Sequence, residues 1–246
     1  YNLGLIYKYR HDWRNSLKYN LKAAELDPAD PPSWWNLGIA ATALKDWKTA
    51  KFAWRGFGIP LPPDNEDEEL RLKIGMTPVR LSENKEVIWI ERIDPARGFI
   101  LNVPTPDSKR RYRDLILNDG APMGTRTVDW QQFPVFEELQ LLQASDYQTY
   151  SVWVSAPLSK WLDTLSELCE KANVGCENWT HTLRHVCKQC SEGNPHEVHD
   201  RELEKDIIDG QFNLGMAAKS QEKLDKVLAA WKVEAQAVVI SLERVL

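Results

Sequence analysis

The chain has 246 residues, 43% of them apolar and 27% charged, with 31 basic against 36 acidic side chains and a formal net charge of −5. This is enough apolar material to bury the core of one large domain or two to three small ones. The acidic balance argues against a nucleic-acid partner, which needs a positive face to neutralise phosphates. The basic cluster, Lys109, Arg110, Arg111 and Arg113, follows Pro-Thr-Pro-Asp-Ser and reads as a solvated loop. No apolar run reaches the roughly 18 residues of a membrane span, so no membrane partner is expected. Four cysteines, two of them in a Cys-x-x-Cys beside histidines, point to metal and a reducing compartment, with the cytoplasm as the default. The chain opens at Tyr1 inside a motif, so the true N-terminus is expected upstream. Of the eleven tryptophans, most are expected in cores and some at contacts.

Residues 1–28 and 35–62 repeat at a fixed offset. Leu3-Gly4 matches Leu37-Gly38, Asp12-Trp13 matches Asp46-Trp47, Ser16 matches Ala50 and Pro28 matches Pro62, each 34 residues apart. Trp34 precedes the second Leu-Gly pair by three residues. Small residues at these positions let paired helices approach closely, and the prolines end the second helix of each pair. This pattern resembles the tetratricopeptide repeat, with departures at Ala41, where a Tyr is usual, and Phe57, where an Ala is usual. The resemblance implies helical hairpins over residues 1–62 and protein or peptide binding on their concave face. One pair is fewer than the three or so repeats that normally stand alone. Either further repeats precede it, or the pair packs on the following domain and braces it.

Residues 63–77, proline-rich and then acidic, are predicted to be a linker. Over 78–147 the composition turns β-branched and aromatic. Residues 86–93 and 98–103 flank an Asp94-Pro95-Ala96-Arg97 turn and predict a hairpin. Further short strands over 114–118, 125–128 and 133–136 predict an antiparallel β-rich region, either a small barrel or a curled sheet. Residues 148–246 alternate strand and helix: a strand over 150–154, a helix from Ser159, a strand over 212–216, a helix from Ser220 and a strand over 237–242. That order predicts a ferredoxin-like α+β unit, with one long final helix as the alternative. The expected fold class is therefore α+β: helical repeat hairpins, an antiparallel β-rich region, and a ferredoxin-like unit carrying a zinc knuckle.

The knuckle is read from Cys187, Cys190, His196 and His199, with Gly193-Asn194-Pro195 as the bend between the pairs. Two thiolates and two imidazoles fill a tetrahedral ion, so the expected zinc is structural, not hydrolytic. His181 and His185, four apart, are alternative ligands or packing histidines. Cys169 and Cys176 read as ordinary residues. No nucleophile elbow, phosphate-binding loop, dinucleotide fingerprint or His-Glu-x-x-His occurs. The adjacent Glu137 and Glu138 would point to opposite faces of a strand. Asp119-Gly120 and Asp209-Gly210 read as turns. The expected function is a non-catalytic protein-binding module. Its general character is similar to bacterial immunity proteins, which bind a secreted toxin domain and occlude its active site, aided by negative charge. The alternatives are a repeat scaffold or chaperone for client peptides, and a zinc enzyme using Glu192 or Glu197 as base at an open metal position.

Overall fold

A computed structural model gives the structure of the chain. It describes residues 1–63, 65–128, 130–155, 160–182, 211–235 and 237–246, without the side chains of 160, 181 and 182. Four helices come first: α1 (Asn2–Tyr9), α2 (Trp13–Leu26), α3 (Pro31–Ala43) and α4 (Trp47–Phe57). Asp12, Asp30 and Asp46 start the last three, their carboxylates accepting from the backbone N–H of Asn15, Ser33 and Thr49 at 3.2, 3.2 and 3.1 Å. Gly58, at φ 99°, ends α4 in the left-handed conformation.

The 34-residue offset persists in three dimensions. The Asp12 N–H donates to the Tyr7 carbonyl, as that of Asp46 does to Ala41. His11 and Lys45 turn the chain at φ 56° and 58°. Any side chain at Gly4 would meet Asn20, and any at Gly38 would meet Trp54, so helices α1 and α3 lie directly on their partners α2 and α4.

Six strands follow: β1 (Gly75–Arg80), β2 (Val87–Arg92), β3 (Arg97–Ile100), β4 (Leu115–Asn118), β5 (Gly124–Val128) and β6 (Gln131–Gln143). β1, β2, β3, β4 and β6 form an antiparallel run. In a run of five strands the first and last point the same way, so closure has to be parallel. β1 and β6 do pair in parallel, at Val79–Phe136 and Arg80–Glu137, and close a five-stranded barrel. Val79, Leu81, Ile88, Ile90, Ile100 and Ile116 fill it. β5 stands outside this ring, hairpinned to the first half of β6.

The helices and the barrel share one core. Ile39, Ala50 and Trp54 from the helices pack with Leu117 and Leu139 from the barrel. Lys8 of α1 reaches Asp119, after β4, at 2.9 Å with side chains 3% and 5% exposed. The Trp13 indole donates to Gln140 at 2.6 Å. Arg97 pairs with Asp94 and Glu69 and lies 4.5 Å over the Trp47 ring. Gly120 lies hard against the Trp35 indole, leaving no space for a β-carbon. Gly120→Ala should therefore lower stability by about 1–3 kcal/mol by overpacking, read from the urea midpoint at unchanged m.

A second sheet completes the fold: β7 (Gln148–Ser155), α5 (Lys160–Ala172), β8 (Gly175–Asn178), the short α6 (Trp179–Thr182), β9 (Gln211–Ala218), α7 (Gln221–Ala235) and β10 (Val238–Arg244). Its order is β10-β7-β9-β8, antiparallel throughout. Leu165 of α5 and Leu224, Leu228 and Trp231 of α7 cover one face, over Val152, Val154 and Leu214. Trp179 joins this sheet to the barrel through its indole N–H, which donates to the Val103 carbonyl at 2.8 Å.

The expected fold class needs correction. The region read as antiparallel is a closed barrel containing a parallel strand pair, because an odd run of strands closes no other way. The helical hairpins are built onto this barrel through a common core. The zinc knuckle is not a feature of the fold as described: among the described residues no group of three or more His, Cys, Asp or Glu is placed to hold a metal. The architecture is four N-terminal helices, a closed five-stranded barrel and a second sheet. Among the described residues no helix is long and apolar enough to cross a membrane.

Candidate interaction surface

The β5–β6 hairpin projects from the barrel with one face anchored and the other open. In its register Arg126 stands opposite Phe133, and Thr125 opposite Pro134. Successive residues of a strand alternate between faces, so Arg126 and Phe133 share one side while Thr125, Gln132 and Pro134 share the other. On the anchored side, the Phe133 ring meets Trp89 of β2 edge-on at 5.0 Å. The Arg126 guanidinium lies 5.7 Å over the same Trp89 ring and donates to the Val87 carbonyl at 3.3 Å. Burial pulls the Arg126 guanidinium below its usual pKa, and the Glu177 carboxylate acts against that shift. This cation is therefore held inside the structure as a clamp.

The residues lining the recess on the open side are uncharged, and the Arg80 guanidinium reaches Met123 beside them at 2.9 Å. Pro122, Gly124, Thr125, Gln132 and Pro134 line a shallow recess of about 400 Å³. Thr77 donates to the Pro134 carbonyl at 3.3 Å, which brings β1 alongside. Met76 of β1 is 64% exposed, and Met123, before β5, is 42% exposed.

At the tip is Trp130. Val128 pairs with Gln131, so only two residues turn the chain. Two-residue hairpin turns need left-handed backbone and favour Asn and Gly. Trp130 takes φ 66°. A bulky residue there is an outlier, disfavoured by roughly 1–2 kcal/mol. Its side chain is 99% exposed, so packing offsets none of that strain. Backbone strain of this kind concentrates at functional sites, and Trp is the residue most enriched at binding hot spots.

The site residues read from the sequence are not at this surface. Cys187, Cys190, His196 and His199, with His185, Glu192, Glu197 and Asp209-Gly210, lie outside the described residues, as does the side chain of His181. Cys169 is buried and Cys176 half-buried, both free thiols. Glu137 pairs with Arg80 at 2.6 Å, and Glu138 with Arg110 at 2.5 Å. Three of the four clustered basic residues are committed to carboxylates: Lys109 to Glu83, Arg110 to Glu138 and Arg113 to Glu91. Sequence reasoning missed the hairpin surface. The available signal was a tryptophan in the short gap between two strand segments, where Gly or Asn is expected.

No protein-family model, curated protein or solved structure matches this chain.

Proposed function

We propose that this chain is a protein-binding module that docks through the open side of its β5–β6 hairpin, with Trp130 as the anchor. The observation that carries the proposal is the strained, 99% exposed tryptophan at the hairpin tip. An unpaired indole in water is a poor end state, whereas inserted into a partner's pocket it buries a large apolar area. The flanking methionines, prolines and uncharged recess have the composition of an interface centre, depleted in charge. The clamped Arg126–Trp89–Phe133 side holds the hairpin in place, so little order has to be gained on binding.

Client-peptide capture by the repeat helices is disfavoured. The faces of α1 and α3 that carry Lys8, Tyr9 and Ile39 already contact the barrel. Inhibition of a toxin domain is the more particular form of the binding proposal, supported by the net charge of −5. A cytoplasmic setting is proposed from the cysteine usage of the sequence, a Cys-x-x-Cys beside histidines. Structural zinc at Cys187, Cys190, His196 and His199 is proposed on the sequence alone, and metal analysis of the purified chain tests it.

Trp130→Gly tests the docking proposal because it separates binding from folding. Glycine accepts the turn without strain, so the thermal midpoint should rise by about 2–4 °C. Affinity for a partner purified with the wild-type chain should fall by about 30-fold or more, the loss of a hot-spot tryptophan. A Trp130→Gly chain that keeps its partner at wild-type affinity refutes the proposal.

A further inference from the structure

We propose that Cys169 and Cys176 are a dithiol–disulfide pair, oxidised by low-molecular-weight disulfides to a cross-link between α5 and β8. The local fold brings the two together. The Val174 N–H donates back to the Cys169 carbonyl at 2.8 Å, and Asn173 reverses the chain at φ 49°. β8 therefore begins beside the last turn of α5. Cys169, 1% exposed, faces the core under α5. Cys176 stands opposite Met216, a fully buried residue of the same core, so its side chain lies on the helix-covered face of the sheet. Both side chains belong to the one core between the helices and this sheet. A disulfide between them needs β-carbons about 3.5–4.5 Å apart.

The exchange proceeds in two steps. The half-buried Cys176, as its thiolate, attacks one sulfur of the external disulfide. A mixed disulfide forms, and one external thiolate leaves and takes up the proton. Cys169 thiolate then attacks the Cys176 sulfur and expels the second external thiolate. The protein loses two hydrogens and two electrons, and the external disulfide becomes two thiols. The neighbouring Cys169 thiol and burial hold the Cys176 pKa well above its ordinary value. Thiolate is therefore scarce in the closed fold, and oxidation waits on local opening of α5 from β8. The closed cross-link should then raise the thermal midpoint by about 5 °C.

The test uses the full chain with oxidised glutathione, both in buffer and in urea just below the unfolding transition. Trypsin separates the four cysteines. Cys169 falls in peptide 161–171 and Cys176 in peptide 172–184. The expected product is these two peptides joined, two hydrogens lighter than their sum, formed faster in urea. It should be absent from Cys176→Ser, which should also lose the rise in thermal midpoint. The proposal is overturned by free or separately glutathionylated Cys169 and Cys176 under both conditions. Linkage of either one to Cys187 or Cys190 overturns it equally.

Discussion

Lys8→Met should destabilise the chain by about 3–5 kcal/mol, the penalty for leaving a buried charge without its partner. The Lys8 ammonium sits 3.0 and 2.9 Å from the two oxygens of Asp119, with both side chains nearly sealed from solvent. Methionine matches the lysine stem in length, so little cavity is left. What remains is a buried carboxylate whose other contacts are the Gly120 N–H at 2.7 Å and the Tyr9 hydroxyl at 3.4 Å. Urea unfolding measures the loss. The double variant Lys8→Met with Asp119→Leu should be markedly more stable than Lys8→Met alone, because a hydrophobic replacement of a buried pair is often neutral or better. Equal stability of the single and double variants would mean that the pair is not sealed. Lys8 and Asp119 lie on α1 and the barrel respectively, so the experiment also measures how firmly the helices are tied to the barrel.

Trp54→Ala should lose a similar amount, about 3–5 kcal/mol, by the cavity rule for large aromatic side chains. Trp54 is fully buried, meets Trp35 edge-on at 5.2 Å and lies under Gly38. It belongs to the core that contains Leu117 and Leu139 of the barrel. The helices should therefore not melt by themselves. Far-ultraviolet dichroism and tryptophan fluorescence should report one coincident transition at a lower midpoint. An early helical transition that leaves the barrel folded would contradict the shared core.

The helices were legible because their signals are local. The 34-residue offset, the matching Asp12-Trp13 and Asp46-Trp47 pairs and the small residues at Gly4 and Gly38 are all written in the chain. β2 and β3 were equally clear, from alternating apolar residues around a Pro-containing turn. β1 was missed because Pro78 interrupts a short segment, and a proline counts against a strand. β8, Gly-Cys-Glu-Asn, has no β-branched residue to announce it. Barrel closure was beyond periodicity altogether. Alternation tells which face of β6 is buried, but not that its middle pairs with β1. Docking of the helices onto the barrel depends on Trp35 meeting Gly120, residues 85 apart that share no local pattern.

The candidate site was hidden for a similar reason. Composition counts eleven tryptophans without sorting them. Trp54 and Trp231 are fully buried, while Trp130 is 99% exposed. Exposure follows from the register of β5 on β6, which puts Trp130 in the turn.

The docking claim is tested most directly by placing a photo-reactive residue at position 130 in the full chain and irradiating it in its native cells. The comparison is the same residue at Leu26, on α2 and 76% exposed. A cross-linked adduct of one defined mass from position 130, absent from position 26, is the predicted result. Indistinguishable adducts from both positions, or adducts from position 26 alone, would contradict a docking surface at the β5–β6 hairpin.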